Sequence, residues 1–234
     1  MKAVITDKQK IAQDTLLTTL KPSEKVNFKP GQYMDIILIN PPFSDEKGPK
    51  RHFSICSSPN QKGVLKFCTR LRDSAFKRSL QEFPIGTEVE ISHIGGNFVL
   101  PEDINQPYVF LAGGIGITPF MCMLAFIQEE GLQHQITLIY SNRDQYSTAF
   151  LKELQELEKK LPKFKLVLTM TDDSNWSGEK RMVDSPFLKE YFPNANSNIY
   201  MVVGPPPMVE SIQASLKEIG VEAQNIKIEN FTGY

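Results

Sequence analysis

The stretch Leu111-Ala112-Gly113-Gly114-Ile115-Gly116-Ile117-Thr118-Pro119 places three glycines between an apolar segment and a proline. The apolar segment is typical of a buried strand, and the fixed φ of Pro119 suits the first turn of a helix. Glycines in such a turn let the backbone approach a diphosphate, and the amides of the helix start favour its negative charge. The candidate ligands in this turn are Gly113, Gly114, Gly116 and Thr118. A tight turn with no ligand fits the same glycine spacing, so the motif alone leaves both interpretations open.

Downstream of this turn, strand patterns alternate with helix patterns to the end of the chain. The predicted strands are Tyr108–Ala112, Gln135–Ser141, Lys165–Thr169, Ile199–Val203 and Ile226–Glu229, and the predicted helices are Pro119–Glu129, Thr148–Leu161 and Pro207–Ile219. This alternation indicates a parallel sheet covered by helices on both faces. Ligands bind at the carboxyl ends of such strands. The stretch Val203-Gly204-Pro205-Pro206-Pro207-Met208 is therefore a second candidate site, although a rigid turn that starts a helix would look the same.

Upstream of the glycine turn, the first hundred residues have the short strands and frequent turns of a small antiparallel barrel. Strands are predicted at Thr15–Leu20, Gln32–Ile39, His52–Cys56, Val64–Thr69 and Thr87–Ile91, with one inserted helix at Ser74–Glu82. The polar segment Pro101–Pro107, flanked by prolines, marks a boundary. We therefore expect an N-terminal antiparallel Greek-key β-barrel at residues 1–102 and a C-terminal parallel-sheet α/β nucleotide-binding domain at 103–234.

The composition argues against several classes of protein. Lys and Arg number 26 and Asp and Glu 27, and the resulting net charge of −1 creates no field to attract nucleic acid. No apolar run approaches the roughly 20 residues of a membrane span. The first residues, Met1–Asp7, lack the features of a secretory signal, so we expect a cytoplasmic protein. Three cysteines (Cys56, Cys68 and Cys122) and three histidines are spaced unlike any zinc or iron–sulfur site, so no metal is expected.

Two stretches of the barrel carry cations that could meet phosphate. In Arg51-His52-Phe53-Ser54, strand alternation sends Arg51 and Phe53 to one face and His52 and Ser54 to the other. A bend here would let Arg51 meet a phosphate while Phe53 and Ser54 line a flat ring; a solvated arginine beside a core phenylalanine is the alternative. The stretch Thr69–Arg78 places several cations around a helix start, which fits either a phosphate site or a charged, solvated turn.

Two further stretches concern the nucleotide-binding domain. Arg143 and Asp144 follow its second strand, where an arginine could pair with a 2′-phosphate and an acid could accept from a 2′-hydroxyl. Only one cation is evident there, which favours NADH slightly over NADPH. The chain ends Glu229-Asn230-Phe231-Thr232-Gly233-Tyr234, with two aromatic residues and a carboxylate where termini are commonly polar. This ending indicates either a docking surface or a terminal strand that fills a groove.

Together, these motifs resemble the ferredoxin–NADP reductase superfamily of flavoprotein electron transferases. The resemblance covers nearly the whole chain, in the superfamily's order: Phe28–Tyr33, Arg51–Ser54, Gly95–Pro101, Gly113–Pro119, Gly204–Met208 and Glu229–Phe231. It implies that the barrel binds FAD and that the α/β domain binds NADH or NADPH. The flavin would then supply the chemistry, and the protein would supply orientation and electrostatics.

The resemblance also implies roles for individual residues. Arg51 would bind the FAD pyrophosphate, Phe53 would lie against one face of the flavin ring, and Ser54 would hydrogen-bond near N5, which accepts the hydride. The other implied FAD contacts are His52, the backbone of Cys68, Thr69 and Arg70, Ser74 and Ala75 at the helix start, and either Phe231 or Tyr234 over the second face of the ring. The implied NAD(P) contacts are Gly113, Gly114, Gly116, Thr118, Arg143, Asp144, Gly204, Pro205 and Met208. Glu229 would lie beside the hydride path, so Ser54 and Glu229 are the predicted catalytic residues.

The implied function is that of an FAD-dependent NAD(P)H oxidoreductase. Because the sequence contains no cluster motif, its electrons would pass to a separate acceptor: a ferredoxin-like protein, an oxygenase component or a small acceptor. A flavin reductase that uses free flavin as its substrate, and an electron-transfer subunit of a larger complex, are the alternatives. Two positions depart from the superfamily's pattern: Val203 replaces a common cysteine, and Phe53 replaces a more common tyrosine.

Overall fold

The first six strands form one antiparallel sheet in a computed structural model that describes residues 1–231. The strands are β1 (Lys2–Ala12), β2 (Thr15–Pro22), β3 (Tyr33–Leu38), β4 (Lys50–Ser54), β5 (Leu65–Arg70) and β6 (Glu88–Gly95), in the spatial order β4-β3-β6-β1-β2-β5. The two edge strands meet through a bridge between Ile55 and Phe67 and a 2.8 Å hydrogen bond from Cys56 N to Lys66 O. This contact closes the sheet, and the predicted antiparallel barrel is confirmed.

The barrel core follows from alternation along the strands. Met34, Ile36 and Leu38 of β3 point inward and are fully or almost fully buried. Strand β1 escaped prediction because its pairing with β2 shifts register between Ile5 and Asp7 and again between Lys10 and Ala12. Each shift moves the following side chains to the other face, so the apolar residues of β1 do not alternate over its whole length.

Helix α1 (Ala75–Glu82) is inserted between β5 and β6, as predicted. Ser74 is its N-cap, and the Ser74 hydroxyl accepts a hydrogen bond from Lys77 N at 3.2 Å. Phe76 and Leu80 are buried in the barrel core. At the other end of the helix, the Lys8 ammonium donates to the carbonyl oxygens of Leu80, Gln81 and Phe83 at 2.5 to 3.1 Å. These carbonyls have no partner within the helix, so Lys8 caps its C-terminus.

The second sheet contains five parallel strands, which confirms the predicted α/β architecture. Its strands are β7 (Tyr108–Gly113), β8 (Ile136–Asn142), β9 (Phe164–Met170), β10 (Ile199–Gly204) and β11 (Ile226–Asn230), in the order β11-β10-β7-β8-β9. The helices of this part of the chain are α2 (Thr118–Glu130), α3 (Leu151–Lys160), α4 (Ser185–Tyr191) and α5 (Pro206–Glu218), with short 3₁₀ turns at Gly114–Ile117, Ala195–Ser197 and Ala223–Asn225. Helix α4 was not predicted, because seven residues are too few to establish a helical period.

The chain divides into two units. One contains residues 1–100 together with 118–126, and the other contains 101–117 and the chain from 127 onward. The first nine of the thirteen residues of α2 are thus grouped with the barrel, so the two units are not separated by a single boundary in the sequence. Within residues 1–231, every helix is too short or too polar to cross a lipid bilayer.

Candidate functional site

In the first unit, the Arg51 guanidinium is held by the loop that precedes its strand. Its Nη1 donates to the backbone oxygens of Lys47, Gly48 and Lys50 at 2.6 to 3.0 Å. Its Nη2 lies 3.3 Å from Oδ1 of Asp45. The guanidinium carbon also lies 5.4 Å from the centroid of the Phe76 ring. Arg51 is therefore fixed next to α1, on the same face of β4 as Phe53.

The start of α1 binds the same carboxylate as Arg51. The backbone N–H of Ala75, the first residue of the helix, donates to Oδ2 of Asp45 at 3.3 Å. One carboxylate thus joins a guanidinium to an amide of a helix N-terminus, which are the two kinds of group that bind phosphate.

The surroundings of this carboxylate are strongly positive. Burial lowers the pKa of Lys77 to about 8, and the positive charges of Arg72, Arg51 and Arg70 add to the effect. The contributions of the three arginines show that their charges lie near the Lys77 ammonium, since each disfavours the charged form of its neighbour. Together with the amide of Ala75, these side chains form a donor set that fits a diphosphate.

Phe53 and Ser54 lie at the end of β4, near this cationic cluster. The Phe53 ring packs against Phe67 and Phe76, with centroids 4.6 and 5.6 Å away, and is partly exposed. Ser54 is 6% exposed and pairs with Tyr33 across the sheet. Cys68 and Thr69 are buried on the facing edge strand β5. Burial, followed by the neighbouring Cys56, raises the pKa of the Cys68 thiol well above its usual value, so this thiol stays protonated.

His52 points to the other face of β4 and is not brought together with Arg51. Its Nδ1 contacts the Asp35 carboxylate, which also accepts from the Lys50 ammonium at 2.7 Å. Burial by itself raises the pKa of Asp35, but the hydrogen bonds from Lys50 and His52 outweigh it and hold the pKa below its usual value. The structure therefore places the His52 side chain in an ion-pair cluster on the outside of the barrel.

Two motifs to which the sequence assigned no role contact each other within the first unit. These are Phe28–Tyr33 and Gly95–Pro101. Pro30 O accepts from Leu100 N at 2.9 Å, and Gln32 Nε2 donates to Gly96 O at 3.2 Å. A Cβ on Gly31, whose φ is +102°, would lie 2.4 Å from Phe98 O. Gly31 is thus required both by its backbone conformation and by this close approach.

In the second unit, the glycine turn after β7 packs tightly against the end of β10. A Cβ on Gly116 would lie 2.4 Å from Val203 O, and a Cβ on Gly113 would lie 2.0 Å from Met208 Sδ. The same sulfur would lie 3.1 Å from a Cβ on Gly204. Gly113, Gly116, Gly204 and Met208 therefore converge where β7 and β10 end, the edge at which parallel sheets bind ligands. Close packing against the backbone of Val203 already requires Gly116, whereas the Met208 side chain beside Gly113 could shift. Thr118, the first residue of α2, is buried.

Arg143 and Asp144 follow β8, at the same edge of the sheet. Oδ1 of Asp144 accepts from Ser147 N at 2.7 Å, and the Asp144 carbonyl accepts from the hydroxyl groups of Ser147 and Thr148. Asp144 therefore stabilises its own turn, as aspartate commonly does. The Arg143 side chain is exposed.

Glu229 lies on the last strand, β11, paired with Val203 of β10. Its Oε2 is buried and accepts no hydrogen bond from residues 1–231. Burial raises the pKa of Glu229 to about 7, because the ionised form loses hydration without gaining a partner. Glu229 can consequently bind or release a proton near neutral pH. Phe231 N donates to Gly204 O at 3.0 Å, which places Phe231 directly beyond the strand. Tyr234, the alternative ring cover, lies outside the described residues.

Asp45 is the site residue that sequence reasoning missed. Its neighbours Ser44 and Glu46 show no motif, and nothing in the spacing connects it with Arg51 or α1. Its position depends on how the loop folds back over the barrel, which a sequence pattern does not reveal.

Comparisons with known proteins agree with this architecture. Residues 110–214 match the family model of the oxidoreductase NAD-binding domain. The chain is 28% identical over 236 residues to the toluate 1,2-dioxygenase electron transfer component of Pseudomonas putida, an alignment that covers 98% of this chain and 67% of that protein. The chain is thus similar to this electron transfer component over nearly its full length, and its residues 110–214 are similar to the oxidoreductase NAD-binding domain.

Solved structures of flavin- and nicotinamide-binding proteins share the fold over almost the whole chain. The ferredoxin NADP⁺ reductase of Neisseria gonorrhoeae superposes with a TM-score of 0.80 at 20% identity, covering 98% of both chains. The FAD/NAD-binding domain of nitric oxide dioxygenase from Vibrio cholerae O1 biovar El Tor superposes with a TM-score of 0.86 at 19% identity, also covering 98% of both. By contrast, the chain spans only about two thirds of the length of the curated relatives that it matches.

Proposed function

We propose that this protein is an FAD-dependent NAD(P)H oxidoreductase that passes electrons to a separate acceptor. The observation that carries the proposal is the cationic cluster of the first unit, where the Arg51 guanidinium and the Ala75 amide already hold an anionic group. A diphosphate presents the same kind of oxygen acceptors with more negative charge. When bound, FAD would accept a hydride from a reduced nicotinamide and transfer electrons onward singly or in pairs.

Within the barrel, the chain's own residues would bind and orient the cofactor. Arg51, with Ala75 and Ser74 at the start of α1 and the nearby Arg70, would hold the diphosphate. Phe53, partly exposed beside the cluster, would support the flat ring, and Ser54 would hydrogen-bond to it. Cys68 and Thr69 would contribute through their backbone, since the Cys68 thiol is buried and protonated. For His52, whose side chain faces Asp35, we propose a backbone contact at most.

Within the second unit, the convergence of the two glycine turns supports a dinucleotide site at the carboxyl ends of β7 and β10. Gly113, Gly114 and Gly116, with Gly204, Pro205 and Met208, would contact the nucleotide there. Thr118, which is grouped with the first unit, stays a predicted contact of the nucleotide. Glu229 would hold or release a proton next to this edge, which its pKa of about 7 permits at neutral pH. Phe231 and Tyr234 stay predicted contacts of the flavin ring.

For the choice of nucleotide, we propose that Arg143, more than Asp144, reads the 2′ position of the ribose. One oxygen of the Asp144 carboxylate is already used by the amide of Ser147, whereas the Arg143 guanidinium is exposed at the end of β8. An exposed guanidinium there pairs with a 2′-phosphate. This assignment favours NADPH, in contrast to the slight preference for NADH from the sequence alone.

For the acceptor, we propose the oxygenase component of a multicomponent oxygenase. Several relatives at 24–28% identity are named as electron-transfer or reductase components of dioxygenases and monooxygenases, including those acting on toluate, terephthalate and propane. The chain spans about two thirds of the length of these relatives.

We also propose a cytoplasmic location. The three cysteines are buried thiols that form no disulfide, as expected in a reducing compartment.

An absorption spectrum of the purified protein tests the central proposal. We expect a yellow protein with a flavin spectrum that is bleached anaerobically by NADPH or NADH. A colourless protein that oxidises NAD(P)H only after free flavin is added would refute a bound cofactor and favour a flavin reductase. A protein that neither binds flavin nor oxidises NAD(P)H would refute both.

A further inference from the structure

The loop between β3 and β4 holds its own carboxylate on the diphosphate-binding groups. Oδ1 of Asp45 lies 3.3 Å from Arg51 Nη2, and Oδ2 lies 3.3 Å from Ala75 N. The carboxylate is aimed by a tight turn, in which Lys47 N donates to Asp45 Oδ1 and Gly48 N donates to Asp45 O, both at 3.0 Å. Its side chain remains 31% exposed, so a ligand from solvent can reach it.

The same loop is anchored along the side of α1, which makes the position of Asp45 a property of the fold. Phe43 N donates to the Ser79 hydroxyl at 3.1 Å, and that hydroxyl donates to Phe43 O at 3.2 Å. The Arg78 guanidinium lies over the Phe43 ring, 4.0 Å from its centroid. Phe43 thus contacts Ser79 and Arg78 on the flank of α1, and Asp45 contacts Ala75 at its start. These contacts hold the segment from Phe43 to Asp45 against the helix.

Two anionic groups cannot use these donors at the same time without cost. A diphosphate on Arg51 and the amide of Ala75 would bring its charge within a few ångströms of the Asp45 carboxylate, where like charges repel. The carboxylate must then leave, breaking its contact with the guanidinium and the amide.

We propose that Asp45 competes with the FAD diphosphate for Arg51 and the start of α1, so that FAD binds only when the loop releases this carboxylate. The proposal rests on the proposed function, since it assumes that FAD is the ligand of the cluster. This competition lowers the affinity for FAD. Bound FAD would therefore dissociate and exchange with free flavin more readily. The neighbouring cations keep the cluster attractive to a more highly charged ligand, so the competition weakens binding without preventing it.

The test measures flavin dissociation constants of the apoprotein by quenching of flavin fluorescence. Asp45→Asn keeps the size and the acceptor oxygen of the side chain and removes its charge. We expect Asp45→Asn to tighten FAD binding at least about fivefold, a change that corresponds to about 1 kcal/mol. Binding of riboflavin, which has no phosphate, should change less than twofold.

The matched control is Glu46→Gln, which removes the same charge from the next, exposed residue of the loop. We expect it to change the dissociation constant for FAD less than twofold, because its carboxylate makes neither contact. Phe43→Ala is the second variant: by removing the ring beneath Arg78 it loosens the loop without altering its charge, and it too should tighten FAD binding. Circular dichroism checks that each variant is folded.

Three outcomes would overturn the competition. In the first, wild-type protein binds FAD and both Asp45→Asn and Phe43→Ala bind it no more tightly. In the second, Asp45→Asn weakens binding, which would make Asp45 a ligand of the cofactor. In the third, Glu46→Gln tightens FAD binding as much as Asp45→Asn does. The effect of Asp45→Asn would then come from the net charge of the loop and not from the contacts of Asp45. If the wild-type protein binds neither FAD nor riboflavin, the proposed function itself fails.

Discussion

Replacing Glu229 by glutamine should make the stability of this protein less dependent on pH. Burial shifts the pKa of the Glu229 carboxyl from 4.5 to about 7. In the unfolded chain the carboxyl ionises near its ordinary pKa, so the folded state binds the proton more tightly. Below pH 4.5 the group is protonated in both states and costs nothing. As the pH rises through 7, the unfolded state is increasingly favoured, because the folded state must keep the proton or bury a charge.

The size of the effect follows from the shift. Each pKa unit corresponds to 1.36 kcal/mol, so the shift to about 7 amounts to roughly 3 kcal/mol of lost stability at high pH. Because the residue is only partly buried, solvent screening reduces this value. Between pH 5 and pH 8 we expect the wild-type protein to lose about 2 kcal/mol more than Glu229→Gln.

Urea denaturation at pH 5 and pH 8 measures this difference, followed by tryptophan fluorescence and circular dichroism. Glu210→Gln is the matched control, since Glu210 is an exposed glutamate of α5 in the same unit. We expect Glu210→Gln to follow the wild-type protein at both pH values. Equal pH dependence of the wild-type protein and Glu229→Gln would refute the reasoning, because it would mean that the Glu229 carboxyl keeps an ordinary pKa in the folded protein.

Three further predictions concern other parts of the molecule. Arg51→Ala should weaken FAD binding about 10- to 100-fold, the usual value of charge-assisted hydrogen bonds, while the circular dichroism spectrum stays unchanged; normal stoichiometric FAD after purification would contradict its assignment. Lys8→Met should destabilise the barrel by about 1 to 2 kcal/mol, because three carbonyl groups at the end of α1 lose their donor, and urea denaturation should show no such loss for the exposed Lys10→Met. Arg143→Ala should raise the KM for NADPH about tenfold and leave that for NADH within twofold; equal effects on both nucleotides would show that Arg143 does not read the 2′ position.

Much of the fold could be predicted because it follows from local chemistry. Ser74 was predicted to start α1, and it does, since an N-cap needs only a short polar side chain and the next turn of the chain. The five parallel strands were predicted from short apolar runs between helices. The predictions that failed concern features with no local signal: the bulges of β1 and the single short helix α4.

The candidate site divides in the same way. Arg51, the cations from Thr69 to Arg78, and the glycine turns were found from residue type and order. His52 was included because it stands within a motif. The surroundings of a side chain depend on the neighbouring strand, however, and Asp35 of β3 binds His52 on the opposite face from Arg51.

Cys56 and Cys122 are 66 positions apart in the sequence, yet the Cys122 thiol donates to the carbonyl of Ser57, the residue after Cys56.

The sequence by itself determined the two architectures, their order and the residue types available to bind a dinucleotide, because turns, caps and strand periods depend on neighbours within a few positions. Only the tertiary structure decided which groups meet. It placed the Asp45 carboxylate between Arg51 and α1, the sulfur of Met208 against Gly113, and Glu229 in surroundings that raise its pKa to about 7. Charge and burial act over distances in space, and residues far apart in the chain reach those distances only after it has folded.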